Sequence, residues 1–369
     1  MSNIQSIEII RVSLPFETGG PRNGIRPGMG AWTKMESLMV KVNTTDGITG
    51  WGEAFGHFVN AGTLATLQGL VAPWFIGKDS RAIAPLIEQA ERAMGGFGRN
   101  GPVRYAFSAI DIALWDIAGQ RAGLPVYRML GGNQREIGLY ASLVRYGDPE
   151  PVARISAQAE AAGYARIKLH EATIPNFMAS REAVRPETEV ALDVGMPWTV
   201  AEARAIARAI RDKNFAWFEE PVWPPEDFKG LAQVRAEGIT LAAGENIGNL
   251  HEFRAFFDAG ALDVAQPSVV KIGGISDMRR VWALADAYSV RVVPHCFYWG
   301  PGYNASAHVI AAQPRPPLLE TAYIIPEDVV NPTFNPKVGK LTLPETPGLG
   351  FTPNAAALEK YTIAKAVVN

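Results

Sequence analysis

An α/β protein built around a closed barrel of parallel strands is what this sequence predicts, and two observations carry the prediction. Between about residues 133 and 325, short apolar segments alternate with amphipathic ones. The apolar segments end near Ser142, Lys168, Asp193, Glu219, Glu245, Pro267, His295 and Glu320. Intervals of about 25 residues match one strand-plus-helix unit, and eight such units fit a (β/α)8 barrel. Three of those ends are acidic and equally spaced: Asp193 in ALDVG, Glu219 in AWFEEP and Glu245 in LAAGEN follow at steps of 26 residues. Successive strand ends converge at the mouth of a barrel. Three hard oxygen donors would meet there around a divalent cation, with Mg2+ the expected ion.

The elements before the barrel read in order. IQSIEIIRVSL alternates as a strand, and the Gly/Pro/Arg-rich TGGPRNGIRPGMGAW interrupts it. SLMVKVNTTDGITGWGEA then forms a hairpin turning at Asp46-Gly47. SAIDIALWDIAGQRAG is helical in period, with Ile110, Ala113, Leu114 and Ile117 on one face and stops at Gly119 and Gly123. GLPVYRMLGG closes this portion near residue 132. Inside the barrel, EPVARISAQAEAAG and VAEARAIARAIRDKN carry apolar residues at i, i+3 and i+4 and supply helices between strands. After about residue 325 the chain is Pro-rich, with a turn at Pro347–Gly350, and is expected to pack back on the N-terminal portion.

Bulk properties exclude several classes. A chain of 369 residues has room for a barrel plus a smaller partner. A net charge of −2 argues against nucleic acid or an anionic membrane as partner. The single cysteine, Cys296, rules out an internal disulfide and fits a cytoplasmic protein. MSNIQSIEII does not read as a signal peptide, and no apolar run is long enough to span a bilayer.

The remaining strand ends carry acid–base chemistry. In ARIKLH, Lys168 and His170 stand two residues apart and project to the same side. RVVPHC ends in His295 and PLLE in Glu320. Two bases facing each other across a cation suit removal of a proton from carbon. The proton α to a carboxylate is hard to remove, because its loss puts two negative charges on one small group. A divalent ion at that carboxylate, with Lys168 beside it, offsets the charge where it develops.

AIDIALWDIAGQ and MLGG, followed by LDVG, FEEP, GEN, KIGG and VPH in that order and spacing, resemble the enolase superfamily over nearly the whole chain. The resemblance is to its mandelate racemase-like subgroup, the mandelate racemase/muconate lactonizing enzyme family. It implies a modified TIM barrel of (β/α)7β type at 133–325. Over it would sit an α+β capping domain formed by residues 1–132 and by the C-terminal segment 326–369. It implies Mg2+ held by Asp193, Glu219 and Glu245, with Lys168 near the substrate carboxylate. It also implies His295 as acid or base and Glu320 hydrogen-bonded to the substrate carboxylate. Lys or His bases beside Mg2+ are this superfamily's known pairing. The implied partner is a small-molecule carboxylate, a sugar acid, and the implied assembly a homo-oligomer.

Two departures from the subgroup pattern matter. Its second strand commonly reads Lys-x-Lys, and here the second Lys is replaced by His170. Its seventh-strand His is paired with an Asp at the end of the sixth strand. In QPSVVKIGG that place is Ser268, which can accept a hydrogen bond from the imidazole but brings no charge. His170 is read as the base that takes the α-proton and His295 as the acid that protonates a leaving hydroxyl, the opposite assignment staying open. Dehydration of a sugar acid to a 2-keto-3-deoxy acid, a hydro-lyase reaction, is the leading expectation. Racemisation, epimerisation or lactone cycloisomerisation by the same histidines is the alternative, and a catalytically silent acid-sugar binder is a third reading.

Further residues are expected around the mouth. Arg22 and Arg26 could clamp a distal carboxylate, although a solvated loop arginine is the commoner case. His57 in GEAFGHF sits where the cap would meet the site, with substrate contact and plain surface exposure about equally expected. Trp32, Tyr298 and Trp299 are candidates for the cavity wall, and Tyr298 and Ser268 also for substrate contact. Glu220 and Asn246 read as partners of the ligands, and Lys271 as structural or ion-pairing. His251 and His308 fall in helical patterns without a functional role.

Overall fold

Alternating residues near the N-terminus build an antiparallel sheet. β1 (Ile4–Glu17) pairs with β2 (Lys34–Thr44), and β2 with β3 (Thr49–Ala54). The structure, a computed structural model, describes residues 2–26 and 28–369. The β2–β3 turn falls at Asp46-Gly47, and Gly47 takes a φ of +82° that residues with a Cβ resist. The described residues of 18–33 form neither helix nor strand.

The Pro102–Ala122 helix lies directly on β3. A Cβ on Gly52 would stand 1.9 Å from Ala109 O, and one on Gly50 2.2 Å from Ala113 O, so only glycine lets the two backbones approach this closely. Pro102 opens the helix and Gly123, in the left-handed conformation, ends it. The expected face of Ile110, Ala113, Leu114 and Ile117 is buried, but so are Asp111, Ile112 and Asp116. Both sides are covered because the helix is sandwiched between the antiparallel sheet and the barrel.

Its buried polar residues join the two layers. Arg104 Nε donates to Ile272 O at 2.8 Å and Gly248 O at 3.0 Å, while its terminal nitrogens pair with Glu91 and Asp277. Asp111 accepts the Ser276 N–H at 3.0 Å. Asp116 accepts the N–H of Trp51 and of Leu349, each at 2.8 Å, tying the hairpin to the C-terminal segment.

Eight parallel strands form the second sheet. They are β4 (Glu136–Ser142), β5 (Arg166–His170), β6 (Glu189–Asp193), β7 (Trp217–Glu219), β8 (Leu241–Ala243), β9 (Val264–Ala265), β10 (Arg291–Val292) and β11 (Leu319–Ala322). Their order is β10-β9-β8-β7-β6-β5-β4-β11. Across the one gap in the ladder, between β10 and β11, the Cys296 N–H donates to Glu320 Oε2 at 2.6 Å. Each of the first seven strands is followed by a helix, whereas the helix after β11, Ala355–Tyr361, packs on β1. Eight full units are therefore corrected to eight strands and seven helical connections, the (β/α)7β form. Tyr140 and Trp217 fill the barrel's lower interior against the small Ala191 and Ala242, with Val264 and Val293 completing the layer. Glu245, Pro267 and His295 lie two or three residues beyond the last paired residue of their strands, on the loops of the mouth.

The C-terminal segment divides its contacts. β12 (Ile325–Pro326) and β14 (Thr362–Val368) pair with β1, on the capping sheet. β13 (Lys340–Thr342) pairs antiparallel with β4 instead, so the segment reaches the barrel as well as the cap. Among the described residues, no helix is long and apolar enough to cross a membrane.

Glu53 on β3 is buried at the joint. Its carboxylate accepts the Ser37 hydroxyl and, at 2.9 Å, the N–H of Gly302 beyond the seventh barrel strand. Burial pushes its pKa up to about 7, the two hydrogen bonds offsetting only part of that cost. An unfolded chain releases this proton near pH 4.5, whereas the native state keeps it to about pH 7. The contribution of Glu53 to stability therefore declines as pH rises through that window, by at most about 3 kcal/mol. Glu53→Gln, which copies the protonated form, should flatten the dependence of Tm on pH between 5 and 8. Calorimetry showing the same slope in both proteins would refute this.

Candidate active site

Backbone register brings the charged residues together. His170 on β5 pairs with Asp193 on β6, and Asp193 with Glu219 on β7, so the three side chains leave neighbouring strands at one level. Asp193, Glu219 and Glu245 each present an oxygen, all within 4.8 Å of one another. Lys168 Nζ lies beneath them, 2.8 Å from Glu320 Oε1, 3.0 Å from Glu219 Oε1 and 3.3 Å from Asp193 Oδ2. The contact with Glu320 is one of charge, because Oε1 receives no aligned hydrogen bond. Burial alone would discharge Lys168, but Glu219, Glu320 and Asp193 outweigh it and keep the ammonium charged.

The other Glu219 oxygen is held by two donors, Trp217 Nε1 and Gln266 Nε2, each at 2.8 Å. Lys271 Nζ contacts Glu245 Oε1 at 3.2 Å and sits 4.1 Å from the centre of the Phe55 ring, in keeping with its reading as an ion-pair partner. Asn246 Nδ2 donates to Glu220 Oε2 at 2.7 Å. Burial, with Glu245 and Asp193 adding repulsion, pushes Glu220 up to about 8. Burial and the neighbouring carboxylates likewise hold Glu219 well above the ordinary range despite Lys168.

Two imidazoles flank the triad. His170 Nδ1 hydrogen-bonds the Leu143 carbonyl, which fixes the proton on that nitrogen, and Nε2 lies 3.3 Å from Asp193 Oδ2. Burial opposes protonation of His170, but Asp193 prevails and its pKa is raised. His295 Nε2 lies 2.9 Å from Glu245 Oε2, while its buried Nδ1 has no partner among the described residues. The orienting carboxylate missing at Ser268 is thus supplied at the ring's other nitrogen by Glu245.

A cavity of about 580 Å³ opens above this floor, a size that suits a small molecule. Asp193, Glu245, His170 and His295 line it, together with Lys271, Glu220 and Asn246. Arg26, Trp32, His57 and Arg145 line its outer part. Lys168, Glu219 and Glu320 do not reach it and form the layer beneath, fully buried. Glu320 is occupied there by the Cys296 N–H and Lys168.

Four more expected positions are corrected: Arg22, Ser268, Tyr298 and Trp299. Arg22 pairs with Glu17 on the surface, 46% exposed, and is absent from the cavity lining, because the end of β1 offers it a nearer carboxylate. Ser268 and Tyr298 are buried below the His295 backbone. Tyr298 donates to the His295 carbonyl at 3.1 Å, and Ser268 reaches the Tyr298 hydroxyl at 3.5 Å, so they shape the segment carrying His295. Trp299 is also in the core, and the wall beside His170 is Phe297, ring to ring at 5.3 Å. Phe297 had a signal in the sequence, the two-residue alternation with His295. Arg145, three residues past a strand end, had none.

The arrangement suits a bound cation. Five acidic side chains (Asp193, Glu219, Glu220, Glu245, Glu320) share the site with two lysines and two imidazoles, and the burial and repulsion that hold Glu219 and Glu220 above the ordinary range would be offset by a cation among them. Two oxygens bound to one Mg2+ at about 2.1 Å lie at most about 4.2 Å apart, comparable with the spacing of the triad.

A capped parallel barrel with carboxylates after its third to fifth strands and imidazoles after its second and seventh defines an enzyme of the enolase type. Residues 16–131 match the family profile "Mandelate racemase / muconate lactonizing enzyme, N-terminal domain", and residues 151–357 match "Enolase C-terminal domain-like". The chain belongs to the mandelate racemase/muconate lactonizing enzyme family of the enolase superfamily. It is 30% identical to a D-galactarolactone cycloisomerase of Agrobacterium fabrum, over 95% of each chain. An arabinonate dehydratase of Saccharolobus solfataricus is 28% identical, over 89% of this chain and 91% of the relative. A solved mandelate racemase/muconate lactonizing protein from Paracoccus denitrificans, complexed with magnesium, superposes with a TM-score of 0.85 at 25% identity, over 100% of both chains.

Removing Lys168 tests the charge balance of the floor. Lys168→Met leaves the carboxylates beneath the cavity without an internal cation and should cost about 3–5 kcal/mol in protein treated with EDTA. Added Mg2+ should restore part of the lost Tm. An unchanged melting curve in EDTA would show that Lys168 does not neutralise the cluster.

Proposed function

We propose that the protein is a Mg2+-dependent dehydratase of a sugar acid, converting it to a 2-keto-3-deoxy acid. The single observation that carries this reading is the placement of two imidazoles at opposite ends of one carboxylate triad, both facing one cavity. Asp193, Glu219 and Glu245 would hold the ion, which when bound supplies positive charge to the substrate carboxylate.

The chain's own residues divide the remaining work. Leu143 O holds a proton of His170 on Nδ1, so Nε2 is the nitrogen that would take the α-proton, from the unprotonated form of the ring. The electron pair of the broken C–H bond moves into the carboxylate, giving an enediolate whose charge Lys168 opposes from below. As the pair returns to form the Cα–Cβ double bond, the β-hydroxyl leaves with a proton from His295 and departs as water. The enol then tautomerises to the keto acid. Atoms balance with water as the only co-product. Arg26 and Arg145, which line the cavity, would meet the far end of the substrate.

Cycloisomerisation is the second reading, favoured by the identity to the galactarolactone enzyme. There the group expelled from Cβ stays attached as the ring-opened carboxylate, and no water forms.

Incubation with arabinonate, galactonate, galactarate and galactarolactone in Mg2+ separates the readings. A dehydratase yields a semicarbazide-reactive keto acid from an open-chain acid, and a cycloisomerase yields one only from the lactone. No product from any of them, with a ligand still raising Tm, would favour a silent binder. His295→Asn should abolish elimination, a loss of at least about 10²-fold, while slow exchange of the α-proton in D2O continues. Loss of exchange together with elimination would make His295 the abstracting base.

A further inference from the structure

One buried carboxylate at the site, Glu171, is used up entirely on donors of the chain itself. It follows His170 at the end of β5. Its Oε1 accepts the N–H of Tyr146 at 2.6 Å and of Gly147 at 2.9 Å, and its Oε2 accepts Asn176 Nδ2 at 2.7 Å. Tyr146 and Gly147 belong to the turn between β4 and the Pro149–Ala161 helix, and this turn carries Arg145. Gly147 takes a φ of +75°, and the guanidinium lies over it, since a Cβ there would stand 3.6 Å from Arg145 Nη2. On the other side of Arg145, the Leu143 N–H donates to Lys168 O at 2.9 Å. The turn is thus pinned on both sides of an arginine that is half-buried, lines the cavity, and makes no hydrogen bond or ion pair among the described residues.

We propose that Arg145 determines specificity at the far end of the guest, selecting a sugar acid with a carboxylate at both ends, and that Glu171 is the positioning residue that holds it there. This rests on the reading above that the guest is a sugar acid. One carboxylate of the guest belongs over the triad, beside the proton that is removed. The acids that line the cavity are already engaged: Asp193 with His170, Glu220 with Asn246, Glu245 with Lys271 and His295, and Glu171 with the turn. None of them pairs with Arg145, so the protein leaves its counter-charge to the guest. A planar guanidinium meets a carboxylate through two parallel hydrogen bonds, whereas a terminal hydroxyl offers one and no neutralising charge. Such a fork discriminates only when its direction is fixed, and Glu171 fixes the backbone beneath it. Ordering the turn in advance also spares the guest that entropy cost on binding.

Matched pairs of acids test the proposal by calorimetric titration of the full-length protein with Mg2+. Galactarate and galactonate share their hydroxyl configuration and differ only at C6, carboxylate against hydroxymethyl, and glucarate and gluconate form a second pair. In at least one pair the diacid should bind about tenfold to a hundredfold tighter. Arg145→Met should erase that margin through the diacid and leave the monoacid nearly unchanged. Arg145→Lys, which keeps the charge without the planar fork, should fall between. Glu171→Ala should lose the margin in the same way, and Glu171→Gln, whose amide oxygen still accepts the two N–H groups, should keep most of it. Equal affinities within every pair would overturn the proposal. So would a margin that survives Arg145→Met or Glu171→Ala, or equal losses for both acids in either variant, the mark of a merely structural role. If no sugar acid binds at all, the reading of the guest falls and this proposal falls with it. Selective binding of a diacid without turnover would count against the proposed reaction alone.

Discussion

Acidic side chains crowded into one buried layer are the constraint around which this barrel is arranged. Lys168 touches three carboxylates from three different strands, and Lys271 and the two imidazoles take up what remains at the edges. Repulsion among Asp193, Glu219, Glu245 and Glu320 in a buried layer would separate the strand ends were Lys168 not between them. Glu219 shows the balance most clearly. One oxygen is pinned by Trp217 and Gln266 and the other turns to the centre, so it cannot swing away to relieve the repulsion. A site of this kind is strained in favour of a cation.

The cap matters because the barrel leaves its mouth unfinished. Its upper wall comes from the end of β3 and from the loop between β1 and β2, elements far from the barrel in sequence. Their position is set by the Pro102–Ala122 helix, which rests on Gly50 and Gly52 on one side and grips the barrel through Arg104 and Asp111 on the other. Glu53 adds a tie to Gly302, so the β3 end that leads to His57 is fastened to the segment that carries His295. Stability of the joint and geometry of the site therefore rest on shared residues.

Sequence patterns reached the parts of this architecture that repeat or turn locally. The 26-residue steps from Asp193 to Glu245 were readable because each step is one strand and one helix, whose lengths are set by the layer they cross. Asp46-Gly47 was readable because a two-strand turn needs that backbone. The pairing of β13 with β4 was not, since a three-residue strand gives no period and its partner lies about two hundred residues away. Arg22 illustrates the same gap at the site. A loop arginine carries no signal of direction, and the choice between Glu17 and the cavity is made by distance in three dimensions. Tyr298 was misplaced because it stands off the two-residue alternation that His295 and Phe297 keep, and turns into the core instead.

Five histidines of one chemical type end up in five situations, and the backbone makes most of the distinction. His170 and His57 each give a proton to a main-chain carbonyl, but through opposite nitrogens, so one turns Nε2 and the other Nδ1 away from the backbone. His170 then meets a carboxylate, and its pKa rises. His57 meets aromatic rings and nearby positive charge, and its pKa falls. His308 has both nitrogens engaged in the core, accepting from the Tyr127 N–H and donating to Leu349 O, and holds the tail to the barrel. His251 begins a surface helix, while His295 faces Glu245 and its other nitrogen has no hydrogen-bond partner among the described residues. The carbonyls that face His170 and His57 belong to the main chain, so they persist whatever side chain their residues carry. Ser268 in place of an acidic partner is tolerable for the same reason: the proton positions in this cavity are set by Leu143 and Phe297 main-chain oxygens and by the carboxylates of the triad, and none of these depends on the residue at 268.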